Sequence, residues 1–421
     1  MPYQLTKDHS RALLERFLRY VRVDTRSDED SSSSPSTEKQ KDLARILEDE
    51  LKDLGLENVR MNEWGYVFAT LPSTLTEGHP PVATIGLIAH LDTYFGTSGK
   101  DVKPQLIENY SGDDIRISDE LTLKVEDNPN LSECVGHTII HTDGTTLLGA
   151  DDKAGIAEIM TALDWMIGHP EFLHPEIRVG FTTDEEIGRG TEHFDVEEFG
   201  ADYAYTLDGS DLGEIEDETF CADTAILKIT GLDVHPGYAK GKMANALRFA
   251  AAVIEGLDEE HLPETTEARE SYLHPYTMSG DVSSAELKLL VRAFTVDELK
   301  EREAHLEDVI REVGECFPLA KTELLLEESY RNMGYKIQED SKVLDYALEG
   351  VRLLGIEPKR QAIRGGTDGA RLSFMGLLTP NIFAGGQNFH SISEWVSLEW
   401  MTAATETILS ILSVWVEKSG K

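Results

Sequence analysis

Apolar residues follow two different spacings along the first half of the chain. Helical spacing predicts amphipathic helices over Arg11–Val23 and from about Thr37 to Leu54. Short continuous apolar runs, namely Val67–Leu71, Thr84–Ala89 and Ile177–Phe181, predict buried strands. Because these runs alternate with helices, the pattern favours an α/β domain with a largely parallel sheet.

The pattern changes near Thr219. The segments that follow predict a strand, a helix, a strand, a helix and a strand over residues 225–230, 243–256, 286–294, 296–313 and 321–327. A further short strand before Glu286 would complete the ferredoxin-like order β-α-β-β-α-β. Long helices and buried strands then return. We therefore predict a catalytic domain made of residues 1–219 and 332–421, with a small lid or dimerisation-type domain inserted at 220–331.

Composition narrows the classes of partner. The 421 residues carry a formal net charge of -39, which argues against nucleic acids and anionic membranes because phosphate binding depends on basic patches. Residues Met1–Ser10 lack an apolar signal region, and no apolar run approaches the roughly 18 residues that span a bilayer. We therefore expect a cytoplasmic protein. Cys134, Cys221 and Cys316 form no CxxC pair, which argues against a disulfide framework or a cysteine-type zinc site.

Two adjacent glutamates, Glu185 and Glu186, come just after the apolar run Ile177–Phe181. Neighbouring residues at a strand end point in different directions. One carboxylate can therefore hold a metal ion while the other reaches a water molecule bound to that ion. Acidic pairs are more often solvated surface, so this interpretation depends on other metal-binding groups nearby.

Such groups follow or end other apolar runs. His90 ends one run, and Asp92 can accept its second imidazole N–H, which would fix the tautomer. Asp151 lies at a helix start, where an aspartate is commonly an N-cap but can also bridge two metal ions. Asp208 and His390 end or follow two further runs. Each residue alone has an ordinary explanation as surface or loop polarity, but ligands of open α/β sheets bind at the carboxyl ends of strands.

The charges of these groups suit a pair of cations. Three carboxylates and two imidazoles, together with one hydroxide, would balance two divalent ions; the residues are Asp151, Glu186, Asp208, His90 and His390. Nitrogen and oxygen ligands without sulfur suit zinc, with manganese or cobalt as substitutes. Two ions roughly 3.5–4 Å apart form a dinuclear hydrolytic site. The residues thus indicate a metallohydrolase.

Longer motifs carry a family resemblance over nearly the whole chain. They lie at residues 14–18, 98–100 with 104–105, 146–160, 235–237, 363–370 and 372–376. In this order they resemble the M20 family of zinc metallopeptidases, and within it the tripeptide aminopeptidases. The resemblance implies a zinc-peptidase domain with a mixed, largely parallel sheet, an inserted ferredoxin-like lid, and two zinc ions per subunit. It also implies release of the N-terminal residue from tripeptides, and it allows a homodimer through the inserted domain.

The resemblance also assigns metal ligands. His90 and Asp208 would hold one zinc ion, Glu186 and His390 would hold the other, and Asp151 would bridge the two. The peptide bond after Asp151 would be cis.

The remaining roles follow from the same resemblance. Glu185 would be the general base for attack by a metal-bridging hydroxide, and Asp92 would orient a metal-binding imidazole. His235 would stabilise the oxyanion. Arg292 and Arg364 would grip the C-terminal carboxylate of the peptide, a bidentate task that suits guanidinium. A structural ion pair on a strand is an equally good explanation of Arg292.

The chain departs from the family pattern at Ala293, which follows Arg292 where an Asp is usual, and after His390; two other functions stay open. Ser391–Ser393 stand where Gly-Lys-His is usual, which bears on recognition of the amino end of the substrate. The first alternative is an M20-type amidohydrolase acting on dipeptides or N-acyl amino acids; the motif at 363–370 argues against it. The second is a non-catalytic metal-binding protein, and the presence of Glu185 and of every ligand argues against that.

Overall fold

The computed structural model describes residues 4–419. Its α-helices are α1 (Lys7–Tyr20), α2 (Gln40–Asp53), α3 (Ala150–Gly168), α4 (Val196–Phe199), α5 (Ala246–Glu255), α6 (Val296–Cys316), α7 (Gly334–Ile337), α8 (Lys342–Leu353), α9 (Asp368–Phe374) and α10 (Leu398–Lys418). None of these helices is both long and apolar enough to cross a membrane.

The strands run from β1 to β18 in chain order. They are β1 (Glu57–Met61), β2 (Val67–Leu71), β3 (Ile85–His90), β4 (Gln105–Ile107), β5 (Ile115–Arg116), β6 (Thr122–Leu123), β7 (Ile139–His141), β8 (Ile177–Thr182), β9 (Tyr203–Gly209), β10 (Glu214–Thr219), β11 (Cys221–Thr230), β12 (Tyr272–Gly280), β13 (Ser284–Ala293), β14 (Lys321–Tyr330), β15 (Lys359–Ile363), β16 (Asn381–Phe383), β17 (Gly386–Gln387) and β18 (Trp395–Ser397).

The first helix begins earlier than the apolar spacing predicts. Thr6 caps α1, because its hydroxyl accepts the backbone N–H of His9 while the His9 side chain accepts the N–H of Thr6. Such a reciprocal cap satisfies backbone donors that have no partner within the helix. Leu13 and Phe17 then lie one turn apart on the buried side.

The chain divides into two compact units. Unit 1 contains the described residues up to Asp217, Tyr335–Gln361, and those from Thr367 onward. Unit 2 contains Glu218–Gly334 and the short segment Ala362–Gly366. The division lies close to the predicted boundaries, but the sequence analysis put residues 362–366 with the catalytic domain. This difference matters because the segment carries one of the two candidate substrate-binding arginines.

Unit 1 is built on a mixed eight-stranded sheet of order β1-β2-β8-β3-β9-β16-β10-β15. The central strands β8, β3, β9 and β16 are parallel neighbours, whereas β1, β2 and β10 pair antiparallel at the flanks. The predicted α/β class with a mixed sheet is confirmed, and its parallel part is the centre. Helix α3, which is buried on nearly all sides, contacts β3 and β9 as well as α1 and α10.

Unit 2 has the predicted ferredoxin-like order β-α-β-β-α-β. Its sheet, β12-β13-β11-β14, is antiparallel throughout. Helices α5 and α6 share one apolar core with the sheet, which includes Leu227, Phe249, Leu289 and Leu306. The strand predicted as short is the nine-residue β12.

Candidate metal centre

The parallel centre of the unit 1 sheet brings the ends of three strands together. His90 is the last residue of β3 and lies opposite Thr182, the last residue of β8. A short 3₁₀ turn, Glu185–Ile187, follows β8, and Asp208 lies near the end of the neighbouring strand β9. Because carboxyl ends of parallel strands meet at one edge, these polar residues converge there.

Asp151 lies at the centre of the cluster. Its backbone and that of Asp152 are non-helical, the peptide bond between them is cis, as the resemblance implied, and the N-cap of α3 is Gly149. The Asp151 carboxylate therefore does not cap its helix. Its Oδ1 atom lies 2.8 Å from Nε2 of His90, and its Oδ2 atom lies 3.1 Å from Nε2 of His390.

The two histidines extend the cluster to either side. Nε2 of His390 lies 2.8 Å from Oε2 of Glu186, and Nε2 of His90 lies 3.7 Å from Oδ1 of Asp208. The five predicted ligands thus lie in one chain of contacts, with Asp151 between the two imidazoles.

Glu185, the predicted base, lies beside this cluster. One ligand atom each from His90, Asp151 and Glu186 lie within 4.8 Å of one another, and so do one atom each from His90, Glu185 and Asp208. The carboxylate of the predicted base is therefore near enough to a pair of ligands to bind metal itself.

Burial and mutual repulsion shift the protonation of the acids. Burial, with the nearby carboxylate of Asp151, raises the pKa of Glu186 to about 8 and that of Asp208 to about 6. Burial also acts to raise the pKa of Asp151, but hydrogen bonds from His390 and His90 hold that pKa below its ordinary value. Burial works against the charged form of His390, yet Asp151 and Glu186 raise its pKa to about 11. The cluster is electrostatically suited to positive charge.

The donors also suit divalent cations chemically. They are imidazole nitrogens and carboxylate oxygens, the set that zinc binds in hydrolytic sites. Oε1 of Glu186 is buried and has no hydrogen-bond partner within residues 4–419. An unpaired buried carboxylate oxygen is costly, and a cation would satisfy it. The residues therefore fit a metal centre.

Asp92 contacts two parts of the centre. Nδ1 of His90 lies 3.0 Å from the Asp92 carbonyl oxygen and 3.4 Å from its Oδ1 atom. The Asp92 carboxylate also accepts the backbone N–H groups of Glu185 and Glu186 at 3.0 and 3.2 Å. The sequence suggested only the contact with the imidazole. The bonds from the Asp92 carboxylate to the backbone of the Glu185–Ile187 turn (the glutamate turn), which carries both glutamate side chains, were not anticipated.

The glutamate turn is also held from the other side by Asp184. This buried residue has a left-handed backbone (φ 63°), which is uncommon outside glycine. Its carboxylate accepts hydrogen bonds from the backbone N–H and hydroxyl of Ser36 and from the side-chain amide of Gln40. These contacts connect the turn to the start of α2.

Glu394 is a further residue that the sequence analysis did not assign. Its buried carboxylate accepts the backbone N–H groups of Leu148 and Gly149, both at 2.7 Å, and that of Asp151 at 3.1 Å. It thereby holds the loop that presents the bridging aspartate. The sequence signals were its position four residues after His390 and its agreement with the Glu that follows Gly-Lys-His in the family pattern, and nothing in the residue pattern indicated its partners.

The predicted substrate-binding residues belong to unit 2. His235 is exposed, and its Nδ1 atom accepts the N–H of Gly237. Nη1 of Arg292 donates to the carbonyl oxygens of Asp223 and Val291, both at 3.0 Å. Among residues 4–419, Arg292 therefore makes bonds to strand carbonyls and not the structural ion pair considered from sequence.

Arg364 also has partners within unit 2. Its Nη1 atom donates to the carbonyl oxygen of Ala268 at 2.8 Å, and its Nη2 atom donates to the hydroxyl of Thr266 at 2.9 Å. The guanidinium lies over the rings of Phe220 and Tyr272. These contacts explain why residues 362–366 belong to unit 2.

Solved structures of the same fold include several peptidases. A tripeptidase from Staphylococcus aureus matches with a TM-score of 0.75 at 24% sequence identity, covering 97% of this chain and 99% of that one. The aminopeptidase PepT from Bacillus cereus matches with a TM-score of 0.73 at 22% identity over the same shares. At these identities the likeness concerns the fold.

Sequence comparison gives the family. Proteins named Peptidase T from Listeria welshimeri and Geobacillus thermodenitrificans are 48% and 47% identical to this chain, over 96% and 97% of it and 99% of each relative. The pattern of Peptidase family M20/M25/M40 matches residues 137–413. The chain therefore belongs to Peptidase family M20/M25/M40.

Proposed function

We propose that this protein is a tripeptide aminopeptidase that works with two divalent cations. Zinc is the proposed metal, because the donors are imidazole nitrogens and carboxylate oxygens. The supporting observation is the contact of Asp151 with both His90 and His390, flanked by Glu186 and Asp208. The names of the relatives, Peptidase T and tripeptidase, support the choice of substrate. When bound, the two cations would polarise the scissile carbonyl and make water a better nucleophile near neutral pH.

Glu185 is the proposed general base. It is half-buried, and burial is the main cause that raises the pKa of its carboxyl group well above the ordinary value. Hydrogen bonding of its backbone N–H to Asp92 fixes the turn that carries it. We propose that Glu185 takes a proton from the attacking water molecule and passes it to the amine that leaves. A carboxyl group with a raised pKa is suited to both transfers.

The proposed substrate contacts are those of His235, Arg292 and Arg364. Guanidinium has five N–H donors, and both hydrogen bonds of Arg292 given above come from Nη1. The side chain can thus hold strand carbonyls and still bind a carboxylate. His235 would stabilise the oxyanion formed from the scissile carbonyl. These roles stay predictions until variants are measured.

A release assay combined with metal analysis tests the proposal. Free amino acids would be measured from di-, tri- and tetrapeptides and from an N-acyl amino acid, with the zinc, manganese and cobalt content of the same preparation. We expect release of the N-terminal residue mainly from tripeptides, two metal ions per chain, and loss of activity on chelation that added zinc reverses. Faster hydrolysis of dipeptides or of the N-acyl amino acid would instead favour an amidohydrolase. Two bound ions without any hydrolysis would contradict an enzymatic function.

A further inference from the structure

His390 is the most exposed of the predicted ligands. Its side chain is 43% exposed, against 3% for His90, 11% for Asp151, 4% for Glu186 and 17% for Asp208. It lies on the loop between β17 and β18, and its backbone has a left-handed φ of 65°. That conformation is uncommon for a residue with a side chain and persists where surrounding contacts hold it.

Those contacts come from the loop that follows β3. The ring of Tyr94 stacks on the His390 imidazole, with 4.2 Å between centroids and 6° between planes. The hydroxyl of Thr97 donates to the His390 carbonyl oxygen at 2.7 Å. One residue therefore holds the plane of the imidazole, and the other holds the backbone that carries it.

Gly96 makes room for this arrangement. A Cβ atom at position 96 would lie 2.5 Å from Cε1 of Tyr94, so a larger residue would displace the ring. The same loop starts from β3, which ends in His90, and continues through Asp92. One short segment thus supplies a ligand at one side of Asp151 and supports the ligand at the other side.

We propose that Tyr94 and Thr97 are positioning residues that hold the His390 imidazole in the orientation required for metal binding with Glu186. This inference rests on the proposed two-cation function. With the ring plane fixed, Nε2 of His390 points at Glu186 and Asp151. Without a fixed ring plane, the exposed His390 side chain would have to be ordered when the metal ion binds. The affinity for the ion that His390 holds with Glu186 would therefore fall.

The test is a zinc titration of the full-length, metal-stripped protein by calorimetry, with thermal unfolding as a check of the fold. We expect wild type to bind two equivalents of zinc. Y94A should bind one zinc equivalent as tightly as wild type does. It should bind the other equivalent about 10- to 100-fold more weakly, the range for losing a group that supports a ligand. Y94F, which retains the stacked ring, should match wild type. In tripeptide hydrolysis, Y94A should lose kcat at limiting zinc with little change in KM, and excess zinc should restore it.

Thr97 gives an independent pair of variants should Y94A fold poorly. T97V removes the hydroxyl at nearly constant shape and should weaken the same single equivalent, whereas T97S should restore it. Wild-type affinities for both zinc equivalents in Y94A and T97V would overturn this inference and leave the proposed function standing. Equal weakening of both equivalents would do the same. A wild-type protein that binds no second equivalent would contradict the proposed function and, with it, this inference.

Discussion

The candidate residues of the two units are held in opposite ways. In unit 1, the side chains of His90, Asp151, Glu186 and His390 make their closest polar contacts with one another. In unit 2, Arg292 and Arg364 make theirs with backbone carbonyls and a hydroxyl of their own unit. Carboxylates and imidazoles in mutual contact are the donor set that zinc binds in hydrolytic sites. Arginine bonds to backbone carbonyls already have a structural explanation. The site in unit 1 is therefore indicated by its geometry, whereas the roles in unit 2 require functional tests.

The largest expected effect is that of E185Q. Loss of the general base should lower kcat on tripeptides by at least about 100-fold while both metal ions remain bound. The matched control is E186Q, which removes a predicted ligand and should lower the metal content. Metal analysis and steady-state kinetics on both variants separate the two neighbouring glutamates.

Two outcomes would change this assignment. Loss of metal from E185Q would make Glu185 a ligand, as its closeness to His90 and Asp208 allows. Activity like that of wild type, with metal content verified, would remove Glu185 as the base.

An intermediate effect is expected for substitution of Glu394, which tests whether this residue positions the loop that carries Asp151 in unit 1. E394A leaves two buried N–H groups and one partly buried N–H group without their acceptor, and the loss for a buried group costs about 1–3 kcal/mol. We expect a lower melting temperature and zinc affinity reduced about 10- to 100-fold. E394Q should be milder, because its carbonyl oxygen can still accept from Leu148 and Gly149. Calorimetry and thermal unfolding measure both effects, and unchanged zinc affinity in E394A would rule out the positioning role.

The smallest expected effect concerns Arg364. R364A should reduce kcat/KM on a tripeptide about tenfold, the low end for a hydrogen bond to a charged group at a partly exposed site. A tripeptide amidated at its C-terminus presents no carboxylate, so its hydrolysis should hardly change. Equal losses on the two substrates would mean that Arg364 serves only to hold the carbonyl of Ala268 and the hydroxyl of Thr266.

Much of the fold could be predicted because hydrophobic spacing reports burial directly. The run Val67–Leu71 is β2 with the same limits, and the β-α-β-β-α-β order of unit 2 was predicted except for the length of β12. Strand direction was less predictable. The flanking strands β2 and β10 are antiparallel, although a buried strand has the same apolar composition in either direction. The place of residues 362–366 was also not predicted, because it depends on distant contacts of Arg364.

The sequence by itself determined which residue types end the apolar runs, and therefore the chemistry of nitrogen and oxygen ligands around an acidic turn. Only the tertiary structure decided how those groups are held. Glu394 meets Leu148 across 246 residues, and Thr97 meets His390 across 293. Contacts at such separations depend on how helices and loops pack around the sheet. Local periodicity carries no information about that packing, so these supports became visible only in the folded chain.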